Sequence, residues 1–210
     1  MSSDLRSGSP SPAAEADLAT TERRGDVLLR ALDEHVEGAR EHANATASYA
    51  FATAVQLGLE PDACLGVREA ARLHEVGKLY ARAELLAGPE WTLSEPQRAE
   101  LVKHYAAGAG LALGAGVPES ICEWIVHAGE RFDDAVERDG SAEVDIPLPS
   151  RIIAAACEYD RQLARHRDSV EGARRWALIA VIEQSGGAFD PLVVDALARV
   201  VERAAERTGG

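Results

Sequence analysis

The chain has 210 residues, 46% hydrophobic and 27% charged, which suits one globular domain with length enough to bury a core. Acidic residues outnumber basic ones 35 to 22, for a formal charge of -13. The basic footprint of a sequence-independent nucleic-acid binder is therefore absent. The longest weakly polar run, residues 105–117, has 13 residues and four glycines, too few apolar positions to cross a bilayer. The first residues lack the charged and apolar regions of a secretory signal. Cys64, Cys122 and Cys157 are widely spaced, without a CxxC pair, and read as reduced thiols. These features predict a cytoplasmic protein that engages neither nucleic acid nor membrane.

Residues 1–21 are rich in Ser, Pro and Ala and predict a disordered N-terminal tail, because they cannot bury enough surface to offset ordering entropy. The pattern then turns helical. Val27, Leu28, Ala31 and Leu32 recur at helix spacing, followed by Ala47, Ala50, Phe51, Ala54 and Val55. Gly58 closes the second helix and Pro61 prevents its continuation. Residues 63–76 form a third pattern, with Leu65, Val67, Ala70, Ala71 and Leu73 inward.

Ser94 and Gln97 read as a capping box that opens a helix through about Leu113. Pro118 leads into Ile121, Trp124, Ile125 and Val126. Residues 133–149 are the one long irregular stretch, acidic and proline-bearing. Residues 151–165 carry Ile152, Ile153, Ala156, Tyr159 and Leu163 at helix spacing. A further helix holds Trp176, Ile179, Ala180 and Ile182 and ends at Gly186-Gly187. Asp190-Pro191 then starts a terminal helix with Leu192, Val193, Leu197 and Val200. No alternating β-branched run competes. The expectation is an all-α domain over residues 22–206, a single bundle of about seven to eight helices, with a short C-terminal tail at 207–210.

All six histidines fall on predicted helices or at their ends. His74 and Glu75 are two ionisable neighbours behind an alanine-rich buried run, costly unless paired or bound to a cation. Gly77 and Lys78 just beyond would let an anion approach closely.

The run Leu73-His74-Glu75-Val76-Gly77-Lys78 resembles the His-Asp-x-Gly-Lys signature of HD-domain metal phosphohydrolases, particularly the HD-GYP branch. His42 precedes His74 by 32 residues, the family's spacing. Further motifs follow in order. Leu85-Leu86-Ala87-Gly88-Pro89 with Leu93-Ser94-Glu95 is similar to the family's linker, and His104-Tyr105-Ala106-Ala107-Gly108 to its HP-x-x-G. Arg151-Ile152-Ile153-Ala154 with Tyr159-Asp160 resembles its late RII helix. Residues 187–194 resemble its closing G-x-x-FDP-x-VV. The resemblance implies an HD-type helical bundle over about residues 25–203.

It also implies a divalent metal (zinc, iron or manganese) and carries metal-ligand roles onto His42, His74 and His104, with Lys78 as a phosphate contact. The chain departs from the pattern at that site. Glu75 replaces the aspartate of the pair, and Cys157 aligns with the late aspartate. The paired histidines and the GYP loop are missing. His127 lies one residue before the lost pair, and one residue rotates a helical side chain by about 100°.

Three readings follow. A working cyclic di-GMP phosphodiesterase needs both metal clamps, and the losses argue against it. A phosphohydrolase with an altered, single-metal site could use His42, His74 and Cys157 with Glu75, a donor set that zinc accepts, on a nucleotide or phosphoester. A degenerate, catalytically weak or inactive regulatory module would keep the scaffold to bind a protein partner or a nucleotide, and this reading explains three departures at once. Cys157 could equally be a small buried apolar residue. Composition does not fix the oligomeric state.

Overall fold

Between residues 39 and 56 the positions that recur at helix spacing are small, and in the computed structural model Ala39, Ala43, Thr46, Ala47, Ala50, Thr53 and Ala54 are all buried. The structure describes residues 12–88, 90–139, 145–166 and 172–208. The helix built by those small residues, α2 (Ala39–Gln56), is the centre of the bundle. It packs against α1 (Pro12–His35), α3 (Pro61–Leu73), α9 (Leu148–Arg165) and α11 (Pro191–Thr208). Small side chains here, with Ala70 and Ala71 also buried on α3, let neighbouring helix axes approach closely.

The remaining helices are α4 (Ala83–Leu86), α5 (Glu95–Leu101), α6 (His104–Gly114), α7 (Glu119–Val126), α8 (Phe132–Asp139) and α10 (Ala173–Ile182). Short 3-10 helices at Val76–Tyr80, Glu90–Thr92 and His127–Gly129 connect some of them. No strand occurs among the described residues, only an isolated bridge between Ser185 and Phe189. The expected all-α bundle is therefore what forms, with one main core and a small satellite of Leu85, Leu93 and Leu101. No described helix is long and apolar enough to cross a membrane.

Local signals fix most boundaries. Gly58 has φ +77°, and the N–H groups of Leu59 and Gly58 donate to the carbonyls of Ala54 and Val55 (3.1 and 3.0 Å), a Schellman closure. Ser94 N–H donates to Gln97 Oε1 (2.9 Å), completing the expected capping box. Leu192 N–H donates to Asp190 Oδ1 (2.8 Å), so Asp190 caps α11. Arg151, at the start of α9, pairs with Asp190 and ties the two late motifs together.

Several expectations need correction. Helix α1 already begins at Pro12, so residues 12–21, assigned to the tail, are helical. Alanine-rich sequence has high helix propensity, and proline is tolerated in a first turn. Residues 1–11, like 209–210, lie outside the described residues. The α1 seam is Thr21, Gly25, Leu29 and Leu32, not Val27, which is 66% exposed. Val55, Trp176, Ile182 and Leu192 likewise face outward, and α10 buries Ala177 and Val181 instead. Clusters of apolar residues allow more than one helical face, and the neighbours choose among them.

The third helix stops at Leu73, and the helix opened by Ser94 breaks at Val102–Lys103 into α5 and α6. Residues 133–139 of the expected irregular stretch belong to α8, whose start is held by Phe132 and Asp133 N–H groups donating to Ala188 and Gly187 carbonyls. Residues 140–144 lie outside the described residues.

Gly77 does not leave room for an anion. A Cβ there would lie 1.9 Å from the His104 carbonyl oxygen and 2.5 Å from Gly108 N, because the 3-10 segment rests on the α6 backbone. Gly77→Ala should therefore destabilise the fold by about 3 kcal/mol or more in urea denaturation. Gly110→Ala, on the same helix with nothing within 4 Å, should be neutral or stabilising by about 0.5–1 kcal/mol.

Candidate metal centre

Helix α2 delivers His42 from its first turn, and His74 caps the C-terminal end of α3 with Glu75 beside it. Cys157, Asp160 and Arg161 come from α9 at i, i+3 and i+4, so they share one face. These elements bring one ligand atom each of His42, His74, Glu75 and Cys157 within 4.8 Å of one another. Cys157 Sγ lies 3.2 Å from His74 Nε2 and 3.5 Å from His42 Nε2. Glu75 Oε1 stands 3.8 and 3.9 Å from the same two nitrogens.

A tetrahedral ion with bonds of about 2.0–2.3 Å spaces its ligands roughly 3.3–3.6 Å apart. The distances from the thiol to the two imidazoles are close to that spacing, and those from the carboxylate to the imidazoles are slightly longer. The donor set therefore fits a single metal ion.

The outer contacts orient the rings. His42 Nδ1 lies 2.7 Å from Asp160 Oδ2, and His74 Nδ1 lies 2.6 Å from the Ala71 carbonyl. Both partners only accept, which assigns the Nδ1 proton and turns each Nε2 toward the cluster. Burial alone would push the His42 pKa down, but Glu75, Cys157 and Asp160 raise it to about 10. Burial would likewise favour the Cys157 thiol, yet Arg161, His74 and His42 bring its pKa down to about 6. Both shifts favour an imidazolium–thiolate pair when no ion is bound.

Beside the donors lies a quartet of alternating charge. Lys78 Nζ donates to Glu75 Oε1 (2.6 Å) and to Glu90 Oε1 (2.8 Å). Arg161 Nη2 donates to Glu75 Oε1 (2.7 Å), and its Nη1 lies 2.9 Å from Glu90 Oε2. Burial opposes the charge of Glu75, but Lys78, His42 and Arg161 hold its carboxyl well below the usual carboxylate range. A cleft of about 1220 Å³ opens over these groups, lined among others by His42, Glu75, Lys78, Glu90, Asp160 and Arg161.

Two of the sequence-derived candidates do not join the cluster. His104 is buried, and its Nδ1 faces the Leu101 carbonyl at 2.7 Å, while Nε2 has no hydrogen-bond partner. Its ring packs 4.0 Å from that of Tyr105, a core residue that also stacks on His74 at 6.3 Å between ring centres. His127 is part-exposed and pairs with Glu130 (2.7 Å). Lys78 is buried against two carboxylates.

The sequence-derived candidates left out Asp160, Arg161 and Glu90. The i, i+3, i+4 spacing after Cys157 was a usable signal for the first two. Glu90 had none, because its place depends on Leu85, Leu93 and Leu101 packing beneath its loop.

The family profile described as HD domain matches residues 26–193. The cyclic di-GMP phosphodiesterase response regulator RpfG of Xanthomonas campestris pv. campestris (strain 8004) is 29% identical over 175 residues, 82% of this chain and 46% of that protein. The chain thus spans less than half the length of this relative. Among solved structures, the HD domain of the L. monocytogenes phosphodiesterase PgpH in complex with cyclic-di-AMP superposes with a TM-score of 0.58 at 18% identity, covering 84% of this chain and 96% of that one. Bd1817, an HDG"Y"P protein from Bdellovibrio bacteriovorus, gives 0.62 at 17% identity, covering 90% and 64%. At these identities the structural matches speak for the fold.

Burial lowers the His104 pKa to about 4. An ordinary histidine titrates near 6.5 when unfolded, so between these values the unfolded chain binds more protons and stability falls as pH drops. The gap corresponds to about 3 kcal/mol. His104→Gln should lose that acid sensitivity, measured as a flatter stability profile between about pH 6.5 and 4 relative to the parent chain.

Proposed function

The chain belongs to the HD-domain family, and from this premise we propose that it is a cytoplasmic, regulatory binding module with a one-ion site and weak or absent hydrolytic activity. His42, His74 and Cys157 would hold a single zinc, iron or manganese ion, with Glu75 at its edge. Lys78 would contact the phosphate of a nucleotide lying in the adjacent cleft. A bound ion would supply Lewis acidity and a fixed charge for that phosphate. Thiolate ligation would temper the Lewis acidity.

The observation that carries this reading is the convergence of His42, His74, Glu75 and Cys157 while His104 and His127 stand elsewhere. This is the one group of three or more such donors among the described residues, whereas in-line displacement by two ions needs a second set about 3.5–4 Å away. The likeness to RpfG, a cyclic di-GMP phosphodiesterase response regulator, and to PgpH in complex with cyclic-di-AMP favours a cyclic dinucleotide or related nucleotide as ligand class. A second reading, an altered single-ion phosphohydrolase, is favoured by the open cleft directly over the donors.

Metal analysis and turnover separate the readings. Protein loaded with zinc, manganese or iron should retain about one ion per chain and turn over cyclic di-GMP negligibly. Clear multiple turnover that His74→Ala abolishes would establish the phosphohydrolase instead.

Cys157→Ser should weaken zinc binding by more than the roughly 10–100-fold that outer partners of a ligand cost. Cys64→Ser and Cys122→Ser should leave it unchanged, because those thiols face the Leu59 and Val117 carbonyls. Equal zinc competition curves for all three variants would reduce Cys157 to packing.

Loading also has a proton signature. With Cys157 already a thiolate and His42 protonated at pH 7, His42 must release its Nε2 proton to become a ligand. Calorimetric titrations in buffers of different ionisation enthalpy should show about one proton released per ion.

A further inference from the structure

A phosphate-bearing ligand faces a problem at this site. The chain carries a formal charge of -13, and the two cations nearest the donors are already matched by two carboxylates. With Lys78 and Arg161 set against Glu75 and Glu90, the quartet sums to zero and offers an anion no net attraction.

The four members are not equally held. The side chains of Glu75 and Lys78 are 5% and 8% exposed, whereas those of Glu90 and Arg161 are 30% and 27% exposed and border the cleft. Glu75 and Lys78 are rooted in the segment packed on α6, and Arg161 in α9. Glu90 comes from a three-residue 3-10 helix at Glu90–Thr92. It is the outermost anion and the one that can leave without moving a long helix. Its carboxylate also makes the contacts a phosphate would make: Oε2 lies 2.9 Å from Arg161 Nη1, while Oε1 lies 3.1 Å from Arg161 Nη2 and 2.8 Å from Lys78 Nζ. Planar guanidinium against paired oxygens is the geometry by which arginine holds carboxylate and phosphate alike.

We infer that Arg161 and Lys78 form an oxyanion subsite beside the four-donor cluster, that the Glu90 carboxylate is its resting occupant, and that a ligand phosphate binds there by displacing Glu90. With Glu90 turned out, Lys78, Arg161 and Glu75 leave one net positive charge facing the cleft. The subsite takes a phosphate group of the ligand, two of whose non-bridging oxygens can meet both cations. This rests on the nucleotide-binding reading above and adds an internal competitor that sets its affinity.

The test uses the metal-free full chain and inorganic phosphate, with binding followed by 31P NMR and calorimetry, so that it does not depend on ion loading. Replacing Glu90 by glutamine keeps the side-chain size and removes the competing charge. Glu90→Gln should bind phosphate about tenfold or more tightly than the parent, since a charged competitor has become a neutral one. Glu90→Ala should do the same, and the double variant Glu90→Gln/Arg161→Gln should lose the gain. Circular dichroism melts establish that each variant is folded, and Glu90→Ala serves if Glu90→Gln is not.

Phosphate binding that is unchanged or weaker in both folded Glu90 variants overturns the proposal. So does a gain that persists without Arg161. Metal content of the same variants, measured separately, reports on the one-ion reading: loss of ion binding with the phosphate gain intact would sink that reading and leave the subsite standing.

Discussion

Glu75 carries a negative charge where water barely reaches, with 4% of its surface exposed. A carboxylate cannot be charged in such a place without partners, because the desolvation cost of an unpaired ion amounts to several kcal/mol. The bundle supplies Lys78 from the next 3-10 turn, Arg161 from α9, and the imidazole of His42 from α2. Each partner fixes the approach of the element that bears it. The charge of one side chain thus sets how the end of α3, the start of α2 and the middle of α9 must meet.

The same demand explains the spacing on α9. Cys157, Asp160 and Arg161 sit on a single helical face, but they do different things there. The thiol faces both imidazoles, the aspartate orients His42 through Nδ1, and the guanidinium neutralises Glu75. The imidazolium–thiolate pair of the metal-free protein is a consequence, since charges already present around the sulfur favour its ionised form over the effect of burial. Ligand capacity and charge balance are built from the same few residues.

Tight backbone contacts hold this arrangement in place. The segment bearing Glu75 and Lys78 rests on α6 at Gly77, with no gap for a side chain. Tyr105 fills the region between His74 and His104. His104 therefore belongs to the packing beneath the site. Its Nε2 is a buried acceptor without a hydrogen-bond partner in the wall of the bundle, and the four-donor cluster lies on the α2, α3 and α9 side.

The amino-acid sequence by itself determined the helical class and several helix ends, because these rest on local physics, while the family resemblance supplied six candidate ligands, four of which the fold brings together. Caps at Gly58, Ser94 and Asp190 act within a few residues, and a histidine beside a glutamate behind a buried run demands a partner wherever it lies. Which helical face turns inward was decided only by neighbours: Val27 and Trp176 are as apolar as Leu29 and Val181, yet face outward. The break between α5 and α6, the closed space above Gly77 and the exclusion of His104 also follow from tertiary contacts. Glu90 is the clearest case. It lies 15 residues from Glu75 and 71 from Arg161 in sequence, and nothing local marks it. Only the fold brings its carboxylate to the two cations, because electrostatic pairing acts on distance in space, to which sequence separation is blind.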